Sequence, residues 1–161
     1  MFSARLDNFS LPPATTTVNG AWIVADPYYN LAGFSVGTGI FTVPVTGFYA
    51  FKININYNTT AAINAQLGGG VDPAFFLRRT AVGVVDLTSG NFPLVNVNIA
   101  LLLTLRVILG NGQVNLTGDF HLNAGDTIAL IYSADGLPIT LTLGEQNPPG
   151  IVYSSFRIAA G

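Results

Sequence analysis

Residues 38–51 read TGIFTVPVTGFYAF, and this stretch decides the class of fold. Strand-forming residues dominate it, yet Gly39, Pro44 and Gly47 interrupt them at short intervals. Proline cannot donate a hydrogen bond to a neighbouring strand, and glycine permits tight bends of the backbone. The stretch could be a corner between strands or the wall of a binding site, and we favour the corner of an all-β domain.

The segment that follows this corner alternates with a period of two. Positions 49, 51, 53, 55 and 57 hold Tyr, Phe, Ile, Ile and Tyr, whereas positions 52, 54, 56 and 58 hold Lys or Asn. Side chains of a β-strand point alternately to its two faces. Residues 48–58 are therefore predicted to form an antiparallel strand with one buried face and one polar face.

Similar alternation extends through the second half of the chain. The odd positions of residues 95–109 are all Val, Ile or Leu, and since a strand of that length would measure about 50 Å we expect a bend or bulge inside it. The Asn-Gly pair within residues 110–113 predicts a tight hairpin. Turns are predicted at residues 123–126 and 134–138, and helix signals are nearly absent. Short strands separated by Gly, Pro and Asn predict a β-sandwich or jelly roll.

Composition favours a single domain that associates with other subunits. At 161 residues the chain is long enough for one core, so residues 1–161 are predicted to form one domain. Half of the residues are hydrophobic and only 9% are charged, whereas about 25% is usual. A monomer with so few charged residues would expose much uncharged surface to water. This indicates that part of the surface is buried in an oligomer or in a sparsely charged polymer.

Charge, cysteine content and hydropathy exclude several classes of protein. The net charge is −2 and the six Lys and Arg residues are scattered, so no nucleic-acid interface is predicted. The chain has no cysteine, which excludes disulfides and thiolate metal sites. The most apolar run, residues 99–109, is too short to span a bilayer and contains Arg106, so membrane insertion is not expected. No signal peptide is visible in residues 1–13, and an export signal or stalk upstream of Met1 stays an open alternative.

The residue types needed for catalysis are scarce. His121 is the single histidine and lies on the polar face of its predicted strand, and Glu145 is the single glutamate. A metal-dependent jelly-roll enzyme needs clustered His and Glu ligands, and a serine nucleophile needs a base. We therefore predict a non-enzymatic protein with no catalytic residue, no metal ligand and no cofactor.

Calcium is kept as an alternative because acidic residues occur in predicted loops. Calcium takes about six to eight oxygen ligands, and loop carboxylates with carbonyl groups can supply them. No Asp-x-Asp cluster occurs, so we favour turn-capping roles, above all for the aspartate of the Gly-Asp turn. The acidic residues concerned are Asp72, Asp86, Asp126, Asp135 and Glu145.

Two further groups of residues are candidates for contacts with partners. Tyr28 and Tyr29 follow Asp26 in a predicted loop, where they could contact a sugar or a protein ligand, or anchor the loop onto the next subunit. Arg78 and Arg79 are adjacent in a strand-like segment and should point to opposite faces. They are predicted to give solubility and one ion pair across an interface.

Several motifs occur in the order found in one known family. Residues 38–51 match the pattern TG-x-F-x-x-P-x-x-G-x-Y-x-F, and the Phe-Ser-Ala at residues 2–4 matches an opening strand. Residues 22–24 resemble a second strand, residues 122–130 an L-x-x-GD-x-V-x-L motif, and residues 154–158 a terminal SGFxL strand. The chain thereby resembles the complement C1q-like domain of the C1q and tumour necrosis factor superfamily. The resemblance spans nearly the whole chain, with a poor match between residues 61 and 107.

This resemblance implies an all-β jelly-roll sandwich of about ten antiparallel strands that assembles as a compact homotrimer. Such domains sit at the tip of a collagen-like or other stalk, and some members bind calcium near the trimer apex. The low charge and the lack of cysteine are similar to bacterial members on spore surfaces. Six residues are expected to fill the core or the trimer contact: Phe41, Tyr49, Phe51, Ala129, Ile131 and Phe156.

The function predicted on this basis is a non-enzymatic, homotrimerising head domain of a surface or spore-surface (collagen-like) filament. It would serve assembly and recognition of a glycan or protein ligand outside the cell. One alternative is a carbohydrate-binding jelly-roll lectin that uses Asp26, Tyr28 and Tyr29. Another is a trimeric capsid or fibre protein of a virus or phage.

Overall fold

The computed structural model describes residues 1–59, 67, 69–99, 103–145 and 148–161. Fourteen strands and no helix occur in these residues, and every strand pairing is antiparallel, which confirms the predicted all-β jelly-roll class. Five of the strands are only two or three residues long. The strands are β1 (Phe2–Leu6), β2 (Phe9–Leu11), β3 (Thr16–Thr17), β4 (Tyr29–Asn30), β5 (Phe41–Thr42), β6 (Gly47–Thr59), β7 (Ala74–Arg79), β8 (Val85–Asn91), β9 (Leu94–Ile99), β10 (Leu103–Ile108), β11 (Asn111–Leu122), β12 (Thr127–Ser133), β13 (Leu141–Leu143) and β14 (Ile151–Ala160).

The first sheet is organised around β6, the longest strand. On one side β6 pairs with β11 along its whole length, from Gly47 opposite Leu122 to Asn58 opposite Asn111. On the other side it pairs with β14 and then with β13. Strands β1 and β4 extend the sheet beyond β14, and β2 extends it beyond β13. Strand β6 therefore has partners along both of its edges, and its alternating side chains point to the two faces of the sheet.

The second sheet has β12 at its centre. Its order is β3–β12–β7–β8, and β5 also pairs with β12. Every residue from Ile128 to Tyr132 is buried within the single chain, including Ala129 and Ile131, which are 1% and 6% exposed. The Arg78 guanidinium lies over the Phe76 ring, on the strand next to β12. A second subunit is therefore not required to explain the apolar composition of this strand.

The core lies where the inward faces of the two sheets meet. Phe2 stacks on Phe34 with ring centroids 4.2 Å apart and contacts Tyr153 edge-on at 4.8 Å. Phe41 joins this cluster at 5.1 Å from Phe2. Burial of apolar surface at about 25 cal/mol per Å² makes such aromatic clusters a large stabilising contribution. A second aromatic cluster consists of Tyr57, Phe75, Phe92 and Tyr132.

The predicted corner in residues 38–51 is present in the structure. Strand β5 belongs to the second sheet and Gly47 begins β6 in the first, so the chain passes between the sheets around the exposed Pro44. Gly39 has φ +69°, and a Cβ there would lie 2.6 Å from the indole nitrogen of Trp22. Only glycine fits this position because both the backbone angle and the close contact exclude a side chain.

Three sequence predictions about strands were wrong. Residues 95–109 do not form one long bent strand, because β9 and β10 are separate strands that pair antiparallel with each other. The predicted hairpin at residues 110–113 does not form, since β11 pairs with β6 rather than with β10. Residues 22–24 make only an isolated bridge from Ile23 to Arg5. The local pattern predicted strands and turns, whereas contacts between residues far apart in the chain determined which strands pair.

Candidate functional site

The outward face of the first sheet ends in an exposed apolar patch. Phe48 on β6 is 42% exposed, and Ile158, in a β-bulge of β14, is 49% exposed. Phe156 is half-buried and lies opposite Ala50 in the strand register. We call Phe48, Ala50, Phe156 and Ile158 the apolar end of this face; Ala50 is 6% exposed, so Phe48 and Ile158 provide most of its exposed surface. His121 contacts it, since its ring lies 5.0 Å from that of Phe48.

The other end of the same face carries a ladder of side-chain amides. Three consecutive outward positions of β6 face three of β11, and all six are Asn or Gln. We call them the amide strip: Asn54, Asn56 and Asn58 on β6, opposite Asn115, Gln113 and Asn111 on β11. Asn58 is only 3% exposed, so the accessible part of the strip consists of the other five residues. The outward position between the two ends is Lys52, whose ammonium group lies 5.6 Å from the centroid of the Phe156 ring.

Hydrogen bonds run through part of the amide strip in one direction. Asn115 Nδ2 donates to Gln113 Oε1 at 3.2 Å, and Gln113 Nε2 donates to Asn56 Oδ1 at 3.0 Å. Asn56 Nδ2 in turn donates to the carbonyl oxygen of Pro149 at 3.0 Å. Asn54 makes no side-chain hydrogen bond within the described residues. The strip is thus ordered at one end and has unused donors and acceptors at the other.

The residues predicted to bind a ligand lie at the opposite edge of the first sheet. Tyr29 is 40% exposed in β4, which pairs with β1. Tyr28 is half-buried, and the Arg5 guanidinium lies 5.7 Å from the centroid of its ring. Arg5 also lies 3.4 Å from the Asp7 carboxylate, while Asp26 is exposed nearby in sequence. The structure therefore places an aromatic, cationic and anionic group together at this edge.

The six residues predicted for the core or trimer contact fall into two sets. Phe41, Tyr49 and Phe51 are 0–1% exposed and belong to the core cluster of the single chain. Ala129 and Ile131 are also buried, at 1% and 6% exposed, but lie outside that cluster. Phe156 is half-buried and lies on the outward face. A role for any of them in a contact between copies stays a prediction.

The acidic residues are distributed among separate turns and ion pairs. Asp126 is 3% exposed, and its carboxylate accepts a hydrogen bond from the Asn123 backbone N–H at 2.9 Å, which confirms the predicted turn cap. Asp135 accepts from the Asp72 backbone N–H at 3.0 Å, and Asp72 pairs with Arg106. Within the part of the chain that is described, no three His, Cys, Asp or Glu residues come close enough to hold a metal ion.

Arg78 forms an ion pair within the chain, whereas the sequence predicted an ion pair across an interface. Its guanidinium binds the Asp86 carboxylate of the next strand, with Nε–Oδ1 2.5 Å and Nη2–Oδ2 3.1 Å. This pair, which raises the pKa of Arg78, lies within one chain rather than across an interface. Beyond it, the β7–β8 hairpin exposes Val82 and Val84, which are 85% and 66% exposed and which sequence reasoning missed.

Three tyrosine hydroxyls are buried inside the sandwich. Burial raises the pKa of Tyr57 to about 12 and raises the pKa of Tyr132 and Tyr153 further above the usual value. These hydroxyls have no hydrogen-bond partner among the described residues. Tyr57 also lines a shallow depression together with Asn56, Asn58, Asn111, Gly112 and Gln113.

The amide strip and the apolar end were visible in the sequence but were not singled out. Asn54, Asn56 and Asn58 were recognised only as the polar face of a strand. The available signal was that this face carries amides and almost no charge, opposite a second strand with the same composition. Phe48 and Ile158 had a weaker signal, because single exposed apolar residues are common on protein surfaces.

Comparisons with known proteins agree with the architecture. No protein-family model matches the chain. The globular domain of zebrafish complement 1qA superposes with a TM-score of 0.60 at 18% identity, covering 99% of this chain and 98% of that one. Eiger TNF from S. frugiperda superposes with a TM-score of 0.49 at 14% identity, covering 99% and 94%.

One curated relative was found by sequence. It is an uncharacterized protein of Acanthamoeba polyphaga mimivirus, 24% identical over 172 aligned residues. The alignment covers 88% of this chain but 64% of the relative, so the chain spans less than two thirds of that protein. None of the described residues forms a helix of the length and apolarity needed to cross a membrane.

Proposed function

We propose that this chain, which has the C1q/TNF-like jelly-roll fold, is a non-enzymatic homotrimeric head domain of an extracellular surface filament. It would hold three copies together at the end of the filament and present their loops to a ligand. Residues 1–161 would act as one domain in this assembly. The observation that carries the proposal is the apolar end of the first sheet, which a solitary chain leaves in water.

The size of this contribution can be worked out from Phe48. A phenylalanine side chain can bury roughly 200 Å², and Phe48 is 42% exposed, so covering it removes about 80 Å² from water. At about 25 cal/mol per Å² this is about 2 kcal/mol for each copy. Ile158 and Phe156 add to it at the same end. A homomeric contact of this kind is more apolar than ordinary protein surface.

The low charge of the chain supports the same proposal. Only 9% of residues are charged, and the outward positions that β6 and β11 share carry one cation, Lys52, and one anion, Asp119, which lies opposite Ala50. Bringing copies of such a face together brings few like charges into contact. Three copies would also give avidity for a repeated ligand.

The test is the mass of the protein in solution, measured by light scattering with and without a calcium chelator. We expect a trimer in both conditions at micromolar concentration. Phe48→Asp should dissociate it, whereas Val85→Asp, which changes a similarly exposed apolar residue (45%) at the start of β8 in the second sheet, should leave the trimer intact. A wild-type monomer would refute the proposal, and a trimer that dissociates only with chelator would add a calcium site.

The identity of the filament is a separate question, for which the mimivirus relative favours a viral setting. A trimeric fibre or capsid protein on a virion surface would use the same assembly as a spore-surface or collagen-like filament. Antibody labelling of purified virions or spores would distinguish them. The virion proposal predicts label on virion surfaces, and label confined to spores or cells would refute it.

A second candidate function is recognition of a carbohydrate at the edge that holds Tyr28 and Tyr29. The exposed Tyr29 ring and the Arg5–Tyr28 contact offer an apolar surface next to hydrogen-bonding groups, as neutral sugars require. Glycan-array binding that is lost in Tyr29→Ala, with the trimer retained, would support it. Binding that persists in Tyr29→Ala and in Asp26→Ala would exclude this edge.

A further inference from the structure

We infer that the amide strip is covered by the same face of neighbouring copies of this chain, and that its carboxamides form the hydrogen bonds that set the register of the assembly. This inference rests on the proposed homotrimer. It assigns different roles to the two ends of one face. The apolar end supplies affinity, and the amide strip supplies orientation.

The chemistry of the carboxamide fits a contact between identical surfaces. Each Asn or Gln side chain has two N–H donors and a carbonyl acceptor, so it can bind another copy of itself. A carboxylate or an ammonium group facing its own copies would be repelled instead. The five accessible amides of the strip, with no ionisable residue among them, can form hydrogen bonds with their own copies. A foreign partner would impose no requirement for self-complementarity.

The strip also has hydrogen-bonding capacity that the single chain does not use. Asn54 and Asn115 face each other in the register and are both exposed. Within the described residues Asn54 makes no side-chain hydrogen bond, and Asn115 uses one donor while its carbonyl oxygen accepts none. The bonds from Asn115 through Gln113 and Asn56 hold the neighbouring amides in place. The side-chain groups of Asn54 and Asn115 that make no hydrogen bond therefore lie beside amides that are held in fixed positions.

The strip lies on the same face as the apolar end, separated from it on β6 by Lys52. Phe48 and Asn54 point outward from the same strand, and β11 runs beside both with His121 opposite Phe48 and Asn115 opposite Asn54. A shallow depression of about 360 Å³ lies between Lys52, Asn54, Asn115 and Val152. A copy seated on the apolar end would extend over it. A polar residue within an otherwise apolar contact is a known device for fixing register.

The first experiment measures whether the strip is covered in the assembled protein. The chain has no cysteine, so a single Cys variant reacts with a thiol reagent at one known position. Asn54→Cys and Asn115→Cys should react at least about tenfold more slowly in the trimer than Asn91→Cys, an exposed amide position on the second sheet. All three should react at similar rates in the Phe48→Asp monomer.

The second experiment places charge on the strip without changing its shape. Asn54→Asp with Asn115→Asp is nearly isosteric and should weaken assembly at neutral pH by at least about tenfold. Assembly should recover as the carboxyls are protonated, below about pH 4. Because residues 54 and 115 face each other within one chain, the fluorescence of Trp22 must show that the dissociated variant is still folded at neutral pH. Asn91→Asp serves as the control and should assemble at both pH values.

The outcomes separate this inference from the proposed function. A wild-type trimer in which Asn54→Cys and Asn115→Cys react as fast as Asn91→Cys overturns the inference while the trimer stands. Binding of a glycan that protects these cysteines in the isolated chain would assign the strip to a carbohydrate instead and also overturn it. A wild-type monomer refutes the trimer and the inference together.

Discussion

Replacing Gly144 by alanine should be among the most damaging single changes in the chain. Gly144 follows β13 at φ +75°, where three segments of backbone meet. A Cβ there would lie 2.5 Å from the amide nitrogen of Gly150 and closer still to the carbonyl oxygen of Asp7. These neighbours are backbone atoms, so no side-chain rotation can relieve the overlap.

The cost can be estimated from three contributions. A left-handed conformation costs an alanine about 1 kcal/mol or more relative to glycine. Forcing a methyl group against rigid neighbours costs about 1–3 kcal/mol. The bonds that Gly144 N–H donates to Asn56 and Gly150 N–H donates to Asp7, both 3.1 Å, would lengthen or break at about 1 kcal/mol each. The sum is roughly 4–6 kcal/mol, or a decrease in Tm of roughly 15 °C.

The assay is urea unfolding followed by the fluorescence of the single tryptophan, Trp22, which is 5% exposed in the core. All variants are compared at one protein concentration, because oligomers unfold in a concentration-dependent way. Gly125→Ala is the matched control, since Gly125 has φ +91° but open space around it. It should lose only the backbone cost of about 1 kcal/mol. A Gly144→Ala variant no less stable than Gly125→Ala would refute the steric reasoning.

Three further predictions concern buried polar groups. The raised pKa of Tyr57, about 12, together with the raised pKa values of Tyr132 and Tyr153, means that the unfolded chain loses these protons first as pH rises. The free energy of unfolding should therefore be unaffected below about pH 10 and should fall above it by about 1.4 kcal/mol per pH unit for each tyrosine. In urea unfolding, Tyr57→Phe should remove about 2.7 kcal/mol of this loss of stability by pH 12. Tyr153→Phe at neutral pH should be neutral or stabilising by up to about 1 kcal/mol, because the hydroxyl it removes has no partner in the described residues, and a loss above that value in the same assay would reveal a partner. Asp126→Ala should lower the free energy of unfolding by about 1–3 kcal/mol, since it removes the acceptor for the Asn123 N–H. Asp86→Ala, on the surface, should lower it by less than about 1 kcal/mol. Equal losses of stability in thermal unfolding would contradict this expectation.

Local features of the fold were predictable because they depend on neighbouring residues. The alternation in residues 48–58 predicted the faces of β6, and the glycines and proline in residues 38–51 predicted the corner between sheets. The Gly-Asp turn predicted the role of Asp126. Each rests on a local rule of side-chain period or backbone angle.

The candidate site was only partly predictable. Tyr28 and Tyr29 were singled out by composition, but nothing in the sequence indicated that Arg5 would lie over the Tyr28 ring. The amide strip needs both β6 and β11 side by side, and the sequence had suggested that β11 would pair with the strand before it. The apolar end depends in part on a bulge at Ile158, which has no clear sequence signature.

The sequence by itself determined that this chain is all-β, where most of its strands and turns fall and which side chains of each strand share a face. The tertiary structure decided that β11 pairs with β6, that β9 and β10 pair with each other, and that Phe48 and the amide strip share one outward face. The physical reason is that the period of a strand is a local property, whereas its partner is chosen by contacts between residues far apart in the chain.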